Sequence, residues 1–121
     1  MKYLMLFVNL ADEVEAFQSQ PEEVRVPALA RVNDWARKYQ AKQVAGGGLA
    51  PATSATTVRF TDRFGEPSNA VTTDGPFMEA REVIGGFWIV DVEDLDEALA
   101  MAKEWPGSRM VEIRPMVEVP R

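Results

Sequence analysis

The chain has 121 residues, a formal net charge of −6 and 46% apolar residues, values typical of one soluble globular domain spanning residues 1–121. Its 13 Lys and Arg residues are scattered along the chain, which argues against nucleic acid as a partner. No apolar run approaches the roughly 20 residues of a membrane span, so we expect no membrane partner. Without cysteine the redox compartment cannot be read, and a cytoplasmic protein is the default expectation.

The chain contains no histidine and no cysteine. This excludes Ser–His and Cys–His nucleophile pairs, and it excludes zinc sites built on imidazole or thiolate. Proton transfer would fall to Asp, Glu, Lys, Tyr, Arg-bound water or the substrate itself. We therefore expect no cofactor and no metal site of those kinds, and any bound metal would be a hard cation held by oxygen.

The first third of the chain predicts a strand followed by a helix. Residues 2–9 are almost all apolar, the pattern of a strand covered on both faces. Residues 12–17 form an acidic connection with one loose turn. Ser19 and Glu22 have the spacing of a capping box, which predicts the start of a helix. Because a proline inside a helix costs about 3 kcal/mol, we expect Pro27 to break that helix.

The remaining elements are mostly strands. Three glycines at residues 46–48 predict a helix C-cap and a flexible turn. Asp94 and Glu97 have the spacing of a second capping box and predict a second helix. Strands are predicted at residues 53–61, 68–73, 83–92 and 110–119, with a hairpin turn at residues 62–67.

The resulting order, β-α-β-β-β-α-β, adds a hairpin to the split β-α-β-β-α-β plan. Four main strands would form an antiparallel sheet that is covered on one face by both helices. The strands at 2–9 and 83–92 carry bulky apolar residues on both sides, so the other face also needs a cover. A second copy of the sheet is the simplest cover, which predicts a homodimer. A buried ligand pocket is the alternative.

The most informative segment holds an acid, a glycine, a proline and an aromatic residue in consecutive positions, Asp74 to Phe77. Asp74 either shapes a turn by accepting local backbone N–H groups or acts as a partly desolvated base or ligand acceptor. Gly75 allows the backbone to approach a ligand closely, and Pro76 favours extended geometry at Gly75. Phe77 either anchors the loop in the core or dimer seam or stacks on a ligand.

Three further charged residues complete the candidate site. Glu79 together with Asp74 would place two carboxylates in one cleft, an arrangement that separates their pKa values for acid–base work. Arg81 would contact the ligand, or it would neutralise Glu79 in a surface pair worth at most about 1 kcal/mol. Arg114 shares one face of the last strand with Glu112. Its planar fork would bind a carboxylate or enolate, or it would contact the second subunit.

At the level of whole segments, the chain resembles the YCII-related proteins, specifically their DGPF-domain branch. The matching segments include residues 1–6, 47–51, 71–77, 85–87, 95–99 and 111–115. The resemblance implies a dimeric α+β barrel of ferredoxin-like protomers, with a cleft beside the sheet that has been proposed as an active site. Some such proteins carry a His–Asp pair in the cleft, for which this chain has no histidine.

Two functions remain open on these grounds. Relatives that include a dehydrochlorinase acting on chlorinated hydroxyquinols imply an enzyme. In that case a small organic acid would undergo proton abstraction, elimination or isomerisation, with Asp74 as base assisted by Glu79 and Arg114. Within the DGPF branch, genes often lie beside those of extracytoplasmic-function sigma factors. This implies the alternative, a non-catalytic ligand-binding or regulatory module in which Asp74 only shapes a turn.

Overall fold

The computed structural model describes residues 1–61, 70–76 and 81–119. These residues fall into two compact units: a sheet unit, formed by residues 1–49 and the chain from residue 81 onwards, and a hairpin unit, residues 50–80. The regular elements, in chain order, are β1 (Lys2–Leu10), α1 (Ala11–Gln18), α2 (Glu22–Tyr39), β2 (Gln43–Gly48), β3 (Thr56–Phe60), β4 (Ala70–Asp74), β5 (Glu82–Asp91), α3 (Leu95–Lys103) and β6 (Met110–Pro115).

The sheet unit has the predicted α+β architecture. Its four strands lie in the order β2-β5-β1-β6, and every neighbouring pair is antiparallel. Counted along the chain, the sheet order is 2-3-1-4, which is the ferredoxin-like arrangement of a split β-α-β-β-α-β fold. The hairpin unit is the predicted addition, a two-stranded antiparallel sheet of β3 and β4. It enters the chain between β2 and β5.

The core lies between one face of the four-stranded sheet and the helices. Alternate residues of β1 are buried there, beginning with Tyr3 and Met5. From α2, Trp35 is only 4% exposed, and its indole Nε1 donates a 2.9 Å hydrogen bond to the carbonyl of Met101 in α3. This bond ties both helices to one another, and Ala98 of α3 is completely buried in the same cluster. The prediction that both helices cover one face of the sheet is confirmed.

The opposite face of the sheet, called here the open face, is apolar at its centre. In β1 and β5 it consists of the half-buried side chains Leu4, Leu6, Val8, Phe87 and Ile89. The edge strand β6 places two charged residues beside them, because Arg114 pairs with Leu4 and Glu112 pairs with Leu6. The expectation that β1 and β5 carry bulky apolar residues on both sides is therefore confirmed.

Three expectations for the first helical region are wrong. Residues 12–17 belong to a regular helix, α1, rather than to a loose turn. Ser19 does not cap α2, since its hydroxyl donates back to the carbonyl of Glu15 and the N-cap residue is Pro21. The helix also continues through Pro27 without a break. Pro27 stands in the second turn, where packing of the longer C-terminal part around Trp35 outweighs the local cost.

The prediction of a helix C-cap and a flexible turn at the three glycines, residues 46–48, is also wrong. Residues 46–48 do not end a helix but form the second half of strand β2, paired with β5. An alanine Cβ at Gly46 would lie 2.6 Å from Cδ1 of Trp88, so only glycine lets this edge strand approach the core indole. Glycine weakens strands on propensity grounds, and here tertiary packing overrides that preference.

The later elements agree better with expectation. Asp94 is the N-cap of α3, and its carboxylate accepts the backbone N–H of Glu97 at 3.0 Å, as the capping box predicts. The returning carboxylate of Glu97 accepts the N–H of Glu93 rather than that of Asp94. The last strand ends at Pro115, earlier than the predicted residue 119. The predicted hairpin turn at residues 62–67 lies outside the described residues.

Candidate functional site

The carboxylate of Asp74 is exposed at the end of β4. Within the described part of the chain, no hydrogen bond or ion pair engages it. The sequence left two roles open for this residue, and the turn-shaping role would require the carboxylate to accept local N–H groups. The contacts that hold the turn come from other atoms instead. Among the described residues Asp74 is thus an unpaired acceptor and a candidate base, but it is exposed rather than partly desolvated, as was expected of a base from the sequence.

The turn beyond Asp74 is held by the backbone and by one threonine. Gly75 has φ +97°, a conformation that favours glycine, so the expectation of extended geometry at this residue is wrong. Its N–H donates to the carbonyl of Ala55 at 2.5 Å, and its own carbonyl accepts the Thr57 hydroxyl at 2.6 Å. Both bonds join Gly75 to the segment around β3, which fixes the backbone on which Asp74 stands. Pro76 follows and is exposed.

Two of the predicted site residues, Phe77 and Glu79, lie outside the described residues. The remaining two, Arg81 and Arg114, belong to the sheet unit. Arg81 precedes β5, and its carbonyl accepts the N–H of Ala11 at 2.6 Å. Both arginine side chains are exposed, and neither enters a hydrogen bond or ion pair with a described residue.

The sheet register separates these two arginines. Arg81 adjoins Glu82, which pairs with Leu10 at one end of β1, whereas Arg114 pairs with Leu4. Six residues of strand separate Leu4 from Leu10, or about 20 Å along the sheet. Arg81 and Arg114 therefore lie in different regions of the sheet unit. Asp74, Gly75 and Pro76 are consecutive in the hairpin unit.

Arg114 is one of the charged groups that border the open face. On the same face it has Leu4 as its direct partner and Glu112 two residues before it. No ion pair joins Glu112 to Arg114 within the described ranges. The guanidinium is therefore available for an anion, and its planar fork suits a carboxylate.

Among the described residues, one carboxyl, that of Glu97 in α3, has a clearly shifted pKa. The backbone N–H of Glu93, donating at 2.8 Å, lowers the pKa of the Glu97 carboxyl, and the ammonium of Lys42 at 3.0 Å adds to the effect. The described residues contain no group of three or more Asp or Glu side chains that are close enough together to hold a metal ion. None of the described helices is both long and apolar enough to cross a membrane.

Sequence reasoning missed a groove on the helix side of the sheet unit. It has a volume of about 650 Å³ and lies between α1, α2 and the segment before β6. Its polar residues include Arg31 and Arg109, and its apolar residues include Phe17 and Leu29. The signal in the sequence was the spacing of three between Val14 and Phe17 in α1 and between Leu29 and Val32 in α2.

The fold and its sheet order define a ferredoxin-like α+β protein with an inserted hairpin, and comparison with known proteins identifies the family. The model of the YCII-related domain matches residues 1–119. The chain belongs to the YCII-related family.

A relative and a solved structure agree with this assignment. An uncharacterised protein of Rhizobium meliloti (strain 1021) is 30% identical over 122 residues, which cover 96% of this chain and 92% of that protein. Among solved structures, 5-chloro-2-hydroxyhydroquinone dehydrochlorinase (TftG) from Burkholderia phenoliruptrix AC1100, in complex with 2,5-dihydroxybenzoquinone, is similar with a TM-score of 0.51 and 15% identity. That match covers 98% of this chain and 96% of TftG, and at this identity it shows a shared fold.

Proposed function

We propose that the protein binds a small organic acid and promotes its proton abstraction or elimination, with Asp74 as the base. The observation that carries this proposal is the free carboxylate of Asp74 on a backbone fixed through Gly75. A base must have an available lone pair and a defined direction. The hydrogen bonds of Gly75 fix the backbone that directs the Asp74 carboxylate, and they leave its lone pairs available.

In an elimination, the Asp74 carboxylate would accept a proton from carbon, the electron pair would form the new double bond, and the leaving group would depart with its bonding electrons. Glu79 would act beside Asp74 as the second carboxylate of an acid–base pair. Gly75, Pro76, Phe77 and Arg81 complete the proposal as ligand contacts. The dehydrochlorination catalysed by TftG, a protein of the same fold, supports elimination as the class of reaction.

Arg114 is proposed as a separate anion-binding residue on the open face. Its side chain is exposed at the border of the open face and has no partner among the described residues, and a guanidinium forms charge-assisted hydrogen bonds with a carboxylate. A bound carboxylate or enolate would supply the missing counter-charge. This role suits an acidic ligand better than a neutral one.

We also propose that the protein is a homodimer paired through its open faces. The half-buried apolar side chains at the centre of this face, including Leu6 and Phe87, would lose their remaining contact with water. The charged residues Glu112 and Arg114 lie towards the edge, as in interfaces with an apolar centre and a polar rim.

The enzymatic proposal is tested with a panel of small aromatic, hydroxylated and keto acids, using thermal shift for binding and product analysis for turnover. Asp74→Asn removes the base while keeping the size of the side chain. Asp91→Asn is the control, because Asp91 is also an exposed aspartate at the end of a strand, β5, and differs in that its carboxylate pairs with the N-terminal ammonium at 3.2 Å. Turnover by the wild type and by Asp91→Asn, with a loss of at least about a hundredfold in Asp74→Asn, is expected from the usual value of general-base catalysis.

The alternative is a non-catalytic ligand-binding or regulatory module, in a setting linked to extracytoplasmic-function sigma factors. The lack of histidine and of any nucleophile motif in the sequence favours it. Ligand binding without turnover in the wild type, retained in Asp74→Asn, would support this module and contradict the enzyme. Arg114→Gln then separates anion binding from catalysis, since it should weaken binding whether or not turnover occurs.

A further inference from the structure

We propose that the groove between α1, α2 and the segment before β6 is a binding site for amphipathic monocarboxylates, separate from the residues of the proposed reaction. All of its lining residues belong to the sheet unit. Its volume of about 650 Å³ lies within the usual range for small-molecule sites, roughly 300–1,000 Å³.

One wall of the groove is already rigid. The backbone N–H of Arg109 donates to Oδ1 of Asn9 at 3.0 Å, and its guanidinium Nη1 donates to Oε1 of Glu13 at 2.6 Å. The hydroxyl of Ser108 accepts Nε1 of Trp105 at 2.7 Å and donates to the carbonyl of Met110 at 2.8 Å. The two bonds of Arg109 attach the segment before β6 to β1 and α1, and the two bonds of Ser108 hold the segment itself in shape. Such a wall loses little conformational entropy when a ligand binds.

The opposite wall carries a positive charge, that of Arg31, which has no counter-ion among the described residues. Arg31 on α2 lines the groove, is exposed, and forms no hydrogen bond or ion pair with a described residue. Arg109 is neutralised by Glu13, so the three charged residues of the groove leave one positive charge, that of Arg31. The whole protein carries −6, yet screening limits the reach of distant charges to about 8–10 Å. The local charge therefore selects an anion.

The apolar residues that line the groove indicate the chemistry of the uncharged part of the ligand. Phe17 from α1 and Leu29 and Val32 from α2 face the groove, and Leu29 is 51% exposed. An aliphatic chain would cover these side chains while its carboxylate accepts two hydrogen bonds from the fork of Arg31. Gln18, which also lines the groove without a described partner, supplies a further donor. A single-headed organic anion with an aliphatic tail satisfies both requirements.

The test is an NMR titration of ¹⁵N-labelled protein with sodium octanoate, with 1-octanol and octylammonium chloride as probes that lack the negative charge. Arg31→Gln removes the proposed anchor. Arg37→Gln is the matched control, because Arg37 lies on the same helix, is exposed, and does not line the groove. The amide spectrum of each variant first establishes that it is folded.

We expect octanoate to cause saturable shifts confined to residues 9–18, 28–32 and 106–109. Affinity should fall at least about tenfold in Arg31→Gln, about 1.4 kcal/mol, and remain unchanged in Arg37→Gln. Octanol and octylammonium should bind at least about tenfold more weakly than octanoate. The proposal is overturned if octanoate gives no saturable shifts, if the shifts fall on the open face, or if Arg31→Gln binds octanoate as tightly as the wild type. It is also overturned if dilution alone reproduces the shifts, since the groove would then join copies of the protein.

Discussion

The side-chain hydroxyl of Thr57 in β3 donates a 2.6 Å hydrogen bond to the carbonyl oxygen of Gly75, one residue beyond the end of β4. This bond and the Gly75 N–H bond to Ala55 close the open end of the hairpin. Asp74, the last residue of β4, directly precedes this closure. The direction of the candidate base therefore depends on a threonine 17 positions earlier in the chain.

Replacing Thr57 with valine should loosen this closure. The substitution keeps the branched shape and removes the hydroxyl, so the carbonyl of Gly75 loses a bond worth about 0.5–1.5 kcal/mol. Hydrogen exchange of the Gly75 amide should accelerate by a corresponding factor of about 2 to 12. Thr73→Val is the matched control, because Thr73 is the cross-strand partner of Thr57 and its own bond to the Thr57 carbonyl is long, 3.4 Å. Equal acceleration in both variants would contradict the special role of Thr57.

Adjacent glycines in β2 should respond oppositely to alanine. At Gly46 an added Cβ would meet Cδ1 of Trp88 at 2.6 Å and the carbonyl of Phe87 at 2.7 Å, so the edge strand must shift. At Gly47 the added Cβ would meet nothing within 4 Å. We expect Gly46→Ala to reduce the free energy of unfolding by about 1–3 kcal/mol, the usual cost of overpacking. Gly47→Ala should leave it unchanged or raise it by up to about 1 kcal/mol.

Urea unfolding of both variants measures this difference. The result also tests the placement of the glycine run in a strand, because a flexible turn would tolerate alanine equally at both positions. Near-ultraviolet circular dichroism should show a change for Gly46→Ala through the environment of Trp88.

The loss of folding stability at acidic pH should depend in part on Glu97. Because the Glu93 N–H and the Lys42 ammonium favour its charged form, the pKa of Glu97 is lower in the folded protein than its ordinary value of 4.5. A group with a depressed folded pKa stabilises the protein above its unfolded pKa and loses that contribution as pH falls through the folded pKa. Glu97 therefore contributes at neutral pH, and its contribution declines below about pH 4.5.

Glu97→Gln removes this dependence. We expect the variant to be less stable than the wild type at neutral pH and the gap between them to narrow as pH is lowered through the folded pKa of Glu97. Glu93→Gln is a suitable control, since only the backbone of Glu93 takes part in the contact. Chemical unfolding at a series of pH values provides the comparison, and a gap that stays constant with pH would contradict the assignment.

The dimer proposal predicts that a charge at the centre of the open face prevents pairing. Leu6→Lys places an ammonium there, next to Glu112, which stands opposite Leu6 in the sheet and limits the cost within one subunit. Val24→Lys is the control, because Val24 is 47% exposed on α2, away from the sheet. Light scattering should give twice the mass of one chain for the wild type and for Val24→Lys, and the mass of one chain for Leu6→Lys. A monomeric wild type would exclude the dimer.

Local sequence patterns were sufficient wherever a single interaction decides the structure. The apolar residues on both sides of β1 and β5 and the cap of α3 by Asp94 could be read from neighbouring residues. The continuation of α2 through Pro27 could not. Its explanation lies in Trp35, whose contacts come from α3 and the sheet.

The amino-acid sequence by itself determined the α+β class and the absence of imidazole and thiolate chemistry, since these depend on periodicity and composition. It predicted the order of the strands and the two main helices except for β2, where a turn was expected. Only the tertiary structure decided that the glycine run is an edge strand, because the reason is the indole of Trp88 packed against Gly46. It also decided that the Asp74 carboxylate is not used to hold its own turn, and that Arg31 faces an apolar groove without a counter-ion among the described residues. Such facts arise from contacts between distant segments, and a local pattern carries no information about which distant atoms will meet.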